Sequence, residues 1–134
     1  AYGTKQNPYL LAAYTCTPLV KFPVSALKPG TKVVGTTIAE LGNRNRPLDM
    51  IVYQKGGKDY LLMSNSSRGV MKMTTDKIDA MPSITSKTDV TGLPYETISS
   101  LKGVQQLDSY SRDMALMLIA SDGGSLDLKT VALP

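Results

Sequence analysis

Apolar residues fall along this chain in short runs, each closed by a polar turn. Tyr9-Leu10-Leu11-Ala12-Ala13 is followed by Thr15-Cys16-Thr17 and then Pro18-Leu19-Val20-Lys21-Phe22. Tyr60-Leu61-Leu62-Met63-Ser64 is followed by Asn65-Ser66-Ser67-Arg68 and then Gly69-Val70-Met71-Lys72-Met73. Ala115–Ala120 is followed by Ser121-Asp122-Gly123-Gly124 and then Ser125-Leu126-Asp127-Leu128. Short runs rich in Val, Ile, Thr and Tyr, bounded by Gly, Asn, Ser and Asp, read as the paired strands of hairpins. Helical periodicity is weak throughout.

The runs repeat. Moving from Tyr9 to Tyr60 and from Lys21 to Lys72 is the same shift of 51 positions, without a gap. Leu10/Leu61 and Leu11/Leu62 match in that register, as do the apolar pairs Leu19/Val70, Val20/Met71 and Phe22/Met73. Tyr2 matches Tyr53. A third, weaker copy follows at a shift of 55, with Leu116-Met117-Leu118 on Leu61-Leu62-Met63. Repeats of this length mark stacked sheet or helix arrays.

Between the hairpins lie further strand candidates. Lys32–Ile38 follows the turn Lys28-Pro29-Gly30, and Leu48–Tyr53 follows Asn43-Arg44-Asn45-Arg46-Pro47. One period therefore predicts four antiparallel strands: Leu48–Tyr53, Tyr60–Ser64, Val70–Thr75 and one more. Ile84–Lys87 and Tyr95–Ser99 compete for that fourth place. The stretch from Asp76 to Pro94 reads as an insertion or loop, with a single helical turn possible around Thr97–Leu101. A β-sandwich with an accidental repeat is the competing reading. It needs about seven strands, fewer than the ten or eleven predicted here.

Four antiparallel strands recurring about every 50 residues resemble the blade of a β-propeller. The period is nearest to kelch-like, YncE-like and amine-dehydrogenase-like propellers. There is no Trp, and Gly56-Gly57 precedes the second strand, which departs from kelch; there is no Trp-Asp, which departs from the WD40 pattern. The resemblance implies an all-β fold, a partial propeller of about three blades with units near 1–47, 48–103 and 104–134. Closed propellers need about four to eight blades. The resemblance thus implies bare sheet faces and a ring completed by a complementary segment or by self-association.

Composition narrows the chemistry. The 134 residues contain no His and one Cys. That excludes a Ser-His-Asp triad, His-ligated zinc, an internal disulfide and any cysteine cluster. No apolar run approaches the ~18 residues of a membrane span, and no N-terminal leader pattern is present, so any signal peptide is expected to be already removed. The net charge of +4 comes from dispersed lysines; only Arg44 and Arg46 sit close together. Dispersed charge and few aromatics argue against nucleic acid as a partner. Low Cys and abundant Ser and Thr lean towards a periplasmic or secreted setting.

In a propeller the loops carrying Asn43–Asp49 and those carrying Cys16, Asn65, Ser66, Arg68 and Asp122 open on one face. The forked donors of Arg44, Arg46 and Arg68, with Asn65, make a candidate site for a small anion. The plainer reading solvates Arg44 and Arg46 or pairs them with Asp49. Cys16, the methionines and Asp122-Gly123-Gly124 read as filler and turn, so no catalytic residue, metal site or cofactor is assigned. Two functions stand: a non-catalytic binding or scaffolding propeller segment, and the substrate-binding half of an envelope oxidoreductase or hydrolase with its catalytic groups elsewhere.

Overall fold

A computed structural model of the chain describes residues 2–86 and 88–134. It is all-β. The twelve strands are β1 (Tyr2–Gly3), β2 (Pro8–Ala13), β3 (Cys16–Pro23), β4 (Thr36–Asn45), β5 (Pro47–Lys55), β6 (Lys58–Asn65), β7 (Gly69–Thr74), β8 (Val90–Gly92), β9 (Tyr95–Thr97), β10 (Val104–Ser109), β11 (Met114–Ala120) and β12 (Leu126–Ala132). Val24–Ala26 forms one 3-10 turn.

They build three antiparallel sheets. Sheet A has the order β1-β2-β3-β4-β8, sheet B β5-β6-β7-β9 and sheet C β10-β11-β12. Apart from β8 and β9, each sheet is a run of neighbouring strands joined in sequence order. The 51-residue shift is carried into the strand pairing. Tyr2 opposes Tyr9 and Tyr53 opposes Tyr60; Leu11 opposes Lys21 and Leu62 opposes Lys72.

Side chains one apart on a strand point to opposite faces, and sheet B uses both. Leu61, Met63, Met71 and Met73 pack with Leu11, Leu19, Ile38, Ala39 and Leu41 of sheet A. Tyr53, Leu62 and Val70 pack with Val104, Leu107, Ala115 and Met117 of sheet C. Sheet B is thus the middle layer, and the continuous apolar character of Tyr60–Met63 follows from burial on both sides.

Several expectations shift. The strand expected over Lys32–Ile38 begins at Thr36 and runs to Asn45, through the segment read as a loop. Pairing with β3 starts at Lys21 and Thr36. Pro23, at the end of β3, has no N–H with which to extend it. The link from β4 to β5 is then Arg46 alone.

In the stretch read as an insertion, Val90–Gly92 joins the edge of sheet A beside β4, and Tyr95–Thr97 joins sheet B beside β7. Of the competing Ile84–Lys87 run, Ile84 to Ser86 is not strand and Lys87 lies outside the described residues. Leu101 donates to the Ile98 carbonyl at 3.0 Å, closing a turn where a helical turn was considered.

The third copy is offset. Ala115 and Met117 enter the core shared with sheet B, whereas Leu116 and Leu118 lie on the opposite face of β11, in a groove that Asp49, Met50 and Ile51 of β5 also border. The structural counterparts of Leu61 and Met63 are therefore Ala115 and Met117, a shift of 54 where the sequence match read 55. A slip of one residue exchanges the faces of a strand, and here Leu, Met, Leu and Ile at successive positions hide the slip.

Candidate functional site

The polar segments at the ends of β4 and β6 meet at one end of the sheet pair. A cleft of about 430 Å³ there is lined by Thr15, Cys16, Asn43, Arg44, Asn45, Arg46, Ser66 and Ser67. Its walls come from the β2–β3 turn, the end of β4 and the β6–β7 turn. Cys16 pairs with Asn45 across the two strands, which brings the single thiol of the chain beside the two arginines. Cys16 is exposed.

Two backbone positions give the cleft its shape. Cys16 (φ 87°) and Arg44 (φ 64°) are the non-glycine residues with positive φ among those described, and both line it. That conformation costs an L-residue roughly 1–2 kcal/mol and persists only where surrounding bonds hold it. The hydroxyl of Ser67 donates to the Arg44 carbonyl at 2.8 Å. Ser66 N–H donates to the Arg46 carbonyl at 3.0 Å.

Asn65 is the post that organises these turns. Its Oδ1 accepts from the Arg46 N–H at 3.4 Å and from the Ser67 N–H at 3.0 Å, and lies 2.9 Å from the Ser67 hydroxyl oxygen. Its Nδ2 donates to Asn45 Oδ1. Asn65 is 3% exposed and all of its bonding is directed into the protein. Asn45 is fully buried (0% exposed) and lines the cleft, and its Nδ2 has no partner. A buried donor left unpaired costs about 1–3 kcal/mol.

The four residues singled out from the sequence divide. Arg44 and Arg46 share the cleft. Asn65 lies beneath it, bonding its walls. Arg68 lies to one side: its Nη2 donates to the Asn43 carbonyl at 3.0 Å, and it packs where a side chain on Gly42 would stand, close to Val90. Its Nε is buried without a partner. The pairing of Arg44 and Arg46 with Asp49 does not occur. The Asp49 carboxylate accepts from its neighbour's Met50 N–H at 2.9 Å and from the Leu107 N–H of β10 at 3.2 Å, tying sheet C to sheet B. The ion pairs among the described residues are Lys21–Asp79, Lys58–Asp76 and Lys129–Asp127; none includes an arginine.

Sequence reasoning grouped Asn45 with the arginine-bearing segment but not among the candidate site residues. The left-handed backbone at Arg44 breaks the alternation of β4, so Arg44, Asn45 and Arg46 all border one cleft. Reading 43–46 as a loop concealed it.

A second surface feature lies on the outer sheets. Leu116, Leu118 and Leu128 of sheet C border an open groove with Gln106 and Asp108, and Asp49, Met50 and Ile51 of β5 form its other side. Leu126 and Leu128 are 59% and 66% exposed. On sheet A, Leu10 is 43% exposed.

Compared with known protein families, curated proteins and solved structures, the chain matches none. No helix among the described residues is long and apolar enough to cross a membrane.

Proposed function

We propose that the chain is a non-catalytic binding or scaffolding segment of a β-propeller, completed by a further sheet on each outer face and presenting the arginine-bearing cleft at one end. One observation carries this reading. Leu10, Ala12, Val20 and Phe22 of sheet A correspond, at the 51-residue shift, to Leu61, Met63, Met71 and Met73 of sheet B. The sheet B set is packed under sheet A. The equivalent set on sheet A looks outward: Leu10 is exposed, while Val20 and Phe22 lie under the segment at Gly35. A face built to the same positions calls for the same kind of cover.

The outward face of sheet C supplies a match. Leu126 and Leu128 are exposed beside the half-buried Leu116 and Leu118, an apolar patch as expected of a protein contact rather than a solvated surface. A second copy of the chain can place this face against sheet A and receive the same contact in return, giving a closed two-fold pair of six sheets. The periplasmic or secreted setting remains part of the proposal.

Light scattering across a concentration series tests it. A mass of two chains is expected, falling to one chain in Leu126→Ser/Leu128→Ser. These side chains are exposed, so their replacement leaves the core intact. A wild-type chain that remains a soluble monomer at every concentration overturns the self-completed form.

A further inference from the structure

We infer that the cleft between the β2–β3 turn, the end of β4 and the β6–β7 turn binds the oxyanion group of a small molecule, with Asn45 Nδ2 as the inner donor and Arg44 and Arg46 as the outer ones. The inference rests on the reading of this end of the molecule as its presenting face, but does not depend on how the outer sheets are covered.

Three independent features converge. Arg44 and Arg46 line one cleft and neither has a carboxylate partner. Their forked donors suit carboxylate or phosphate oxygens. Asn45, fully buried between them in sequence, has an amide N–H₂ with no acceptor. Its other end is fixed, because Oδ1 already accepts from Asn65. The amide is therefore held in one orientation, and an incoming oxygen satisfies the unpaired donor. Finally, the remaining wall is polar, formed by Thr15, Ser66 and Ser67, and the cleft contains no Asp or Glu to oppose a negative charge. A cleft of about 430 Å³ is larger than an inorganic ion requires, so the group is carried on a small organic body.

This assignment revises the binding set. Asn65 positions Asn45 and the Ser67 turn; Arg68 braces Asn43. Neither meets the ligand.

Cys16 makes the test direct, because it is the only thiol in the chain and lies in the same cleft. Alkylation by negatively charged iodoacetate is compared with alkylation by neutral iodoacetamide on the intact chain. The ratio of the two rates cancels thiol exposure and thiolate content, leaving the pull of the cleft on an anion. The ratio is expected to drop about ten-fold or more in Arg44→Gln/Arg46→Gln, and also in Asn45→Asp, which keeps the acceptor for Asn65 but replaces the free donor with a negative oxygen. Inorganic phosphate and succinate are then added separately as protectants. Protection by phosphate identifies a phosphate group, protection by succinate a carboxylate.

Circular dichroism checks that each variant is folded. If Asn45→Asp does not fold, the arginine pair decides alone. An unchanged ratio in the folded arginine variant, or no protection by either anion up to high millimolar concentration, overturns the inference. Light scattering of the same samples separates this outcome from failure of the scaffold reading: anion capture can vanish while the mass of the assembly stays as it was, and the reverse.

Discussion

The Tyr53 hydroxyl on β5 donates to the carbonyl of Pro134 at 2.5 Å, a bond spanning 81 positions. Beside it, Lys55 Nζ donates to the Leu133 carbonyl at 2.7 Å, and Leu133 N–H donates to the Asp113 carbonyl at 2.9 Å. These bonds pin the segment after β12 onto sheet B, with Leu133 buried between the sheets. Tyr53 also stacks on Tyr60, its cross-strand partner, with ring centres 5.5 Å apart.

Burial, then the charges of Tyr60 and Glu96, pushes the Tyr53 hydroxyl up to about 12 from its ordinary 10.0. The folded state thus favours the neutral phenol. Its contribution to stability is complete below pH 10 and is lost as pH rises through 12. Burial raises Tyr2 as well, so the comparison needs a variant. Tyr53→Phe is expected to lose about 1 kcal/mol at pH 8 and to show a smaller decline than wild type between pH 10 and 12. Denaturant melts at pH 8, 10 and 11.5 check both statements; equal declines in the two proteins contradict the assignment.

Lys21 and Lys72 provide a matched pair. Each lies over the aromatic ring that the repeat assigns to it: Lys21 Nζ is 4.7 Å from the centre of Tyr9, and Lys72 Nζ is 4.3 Å from that of Tyr60. Lys21 is also buried, donating to the Ile78 carbonyl at 3.2 Å with Asp79 at 3.6 Å. Lys72→Ala is expected to cost about 0.5–1 kcal/mol, the value of a partly exposed cation–π contact. Lys21→Ala costs more, about 2 kcal/mol, because it also strips a buried carbonyl of its donor. Equal losses in urea unfolding count against the burial difference.

Gly103 and Gly56 separate two roles of glycine. Both have positive φ, 72° and 60°. A methyl on Gly56 meets open space, whereas one on Gly103 runs into the Ala120 carbonyl, beside the bond from Ala120 N–H to the Gly103 carbonyl at 2.8 Å. Gly56→Ala is expected to cost about 1 kcal/mol from backbone conformation alone. Gly103→Ala costs at least about twice that, since backbone must move at the entry to sheet C. Thermal unfolding of the two variants ranks them; the reverse order refutes the close approach.

Much of the fold was legible because the repeat is written in contacts. Tyr9 with Lys21 and Tyr60 with Lys72 are identical pairs because each makes the same cross-strand contact, and that fixed both period and register. What escaped were features with no pattern of their own. β8 and β9 have three residues each, too few to show alternation. The offset of the third copy escaped because both faces of β11 are apolar. At the cleft, Arg44 and Arg46 were legible as an isolated basic pair. The role of Asn45 was not, because it depends on Arg44 taking a left-handed backbone inside a strand, which no residue preference suggests.

The paths of β8 and β9 bear on how the molecule forms. After β7 the chain leaves sheet B, pairs with the edge of sheet A at Val90–Gly92 and returns to sheet B at Tyr95–Thr97. Sheet A lacks its last strand until the chain has passed Gly92, and sheet B until it has passed Thr97. The first two layers are therefore expected to consolidate together, and the third to dock onto sheet B through the shared core and the Asp49, Tyr53 and Lys55 bonds. Amide exchange in such an architecture divides at residue 98: one slow block before it, and a faster one after.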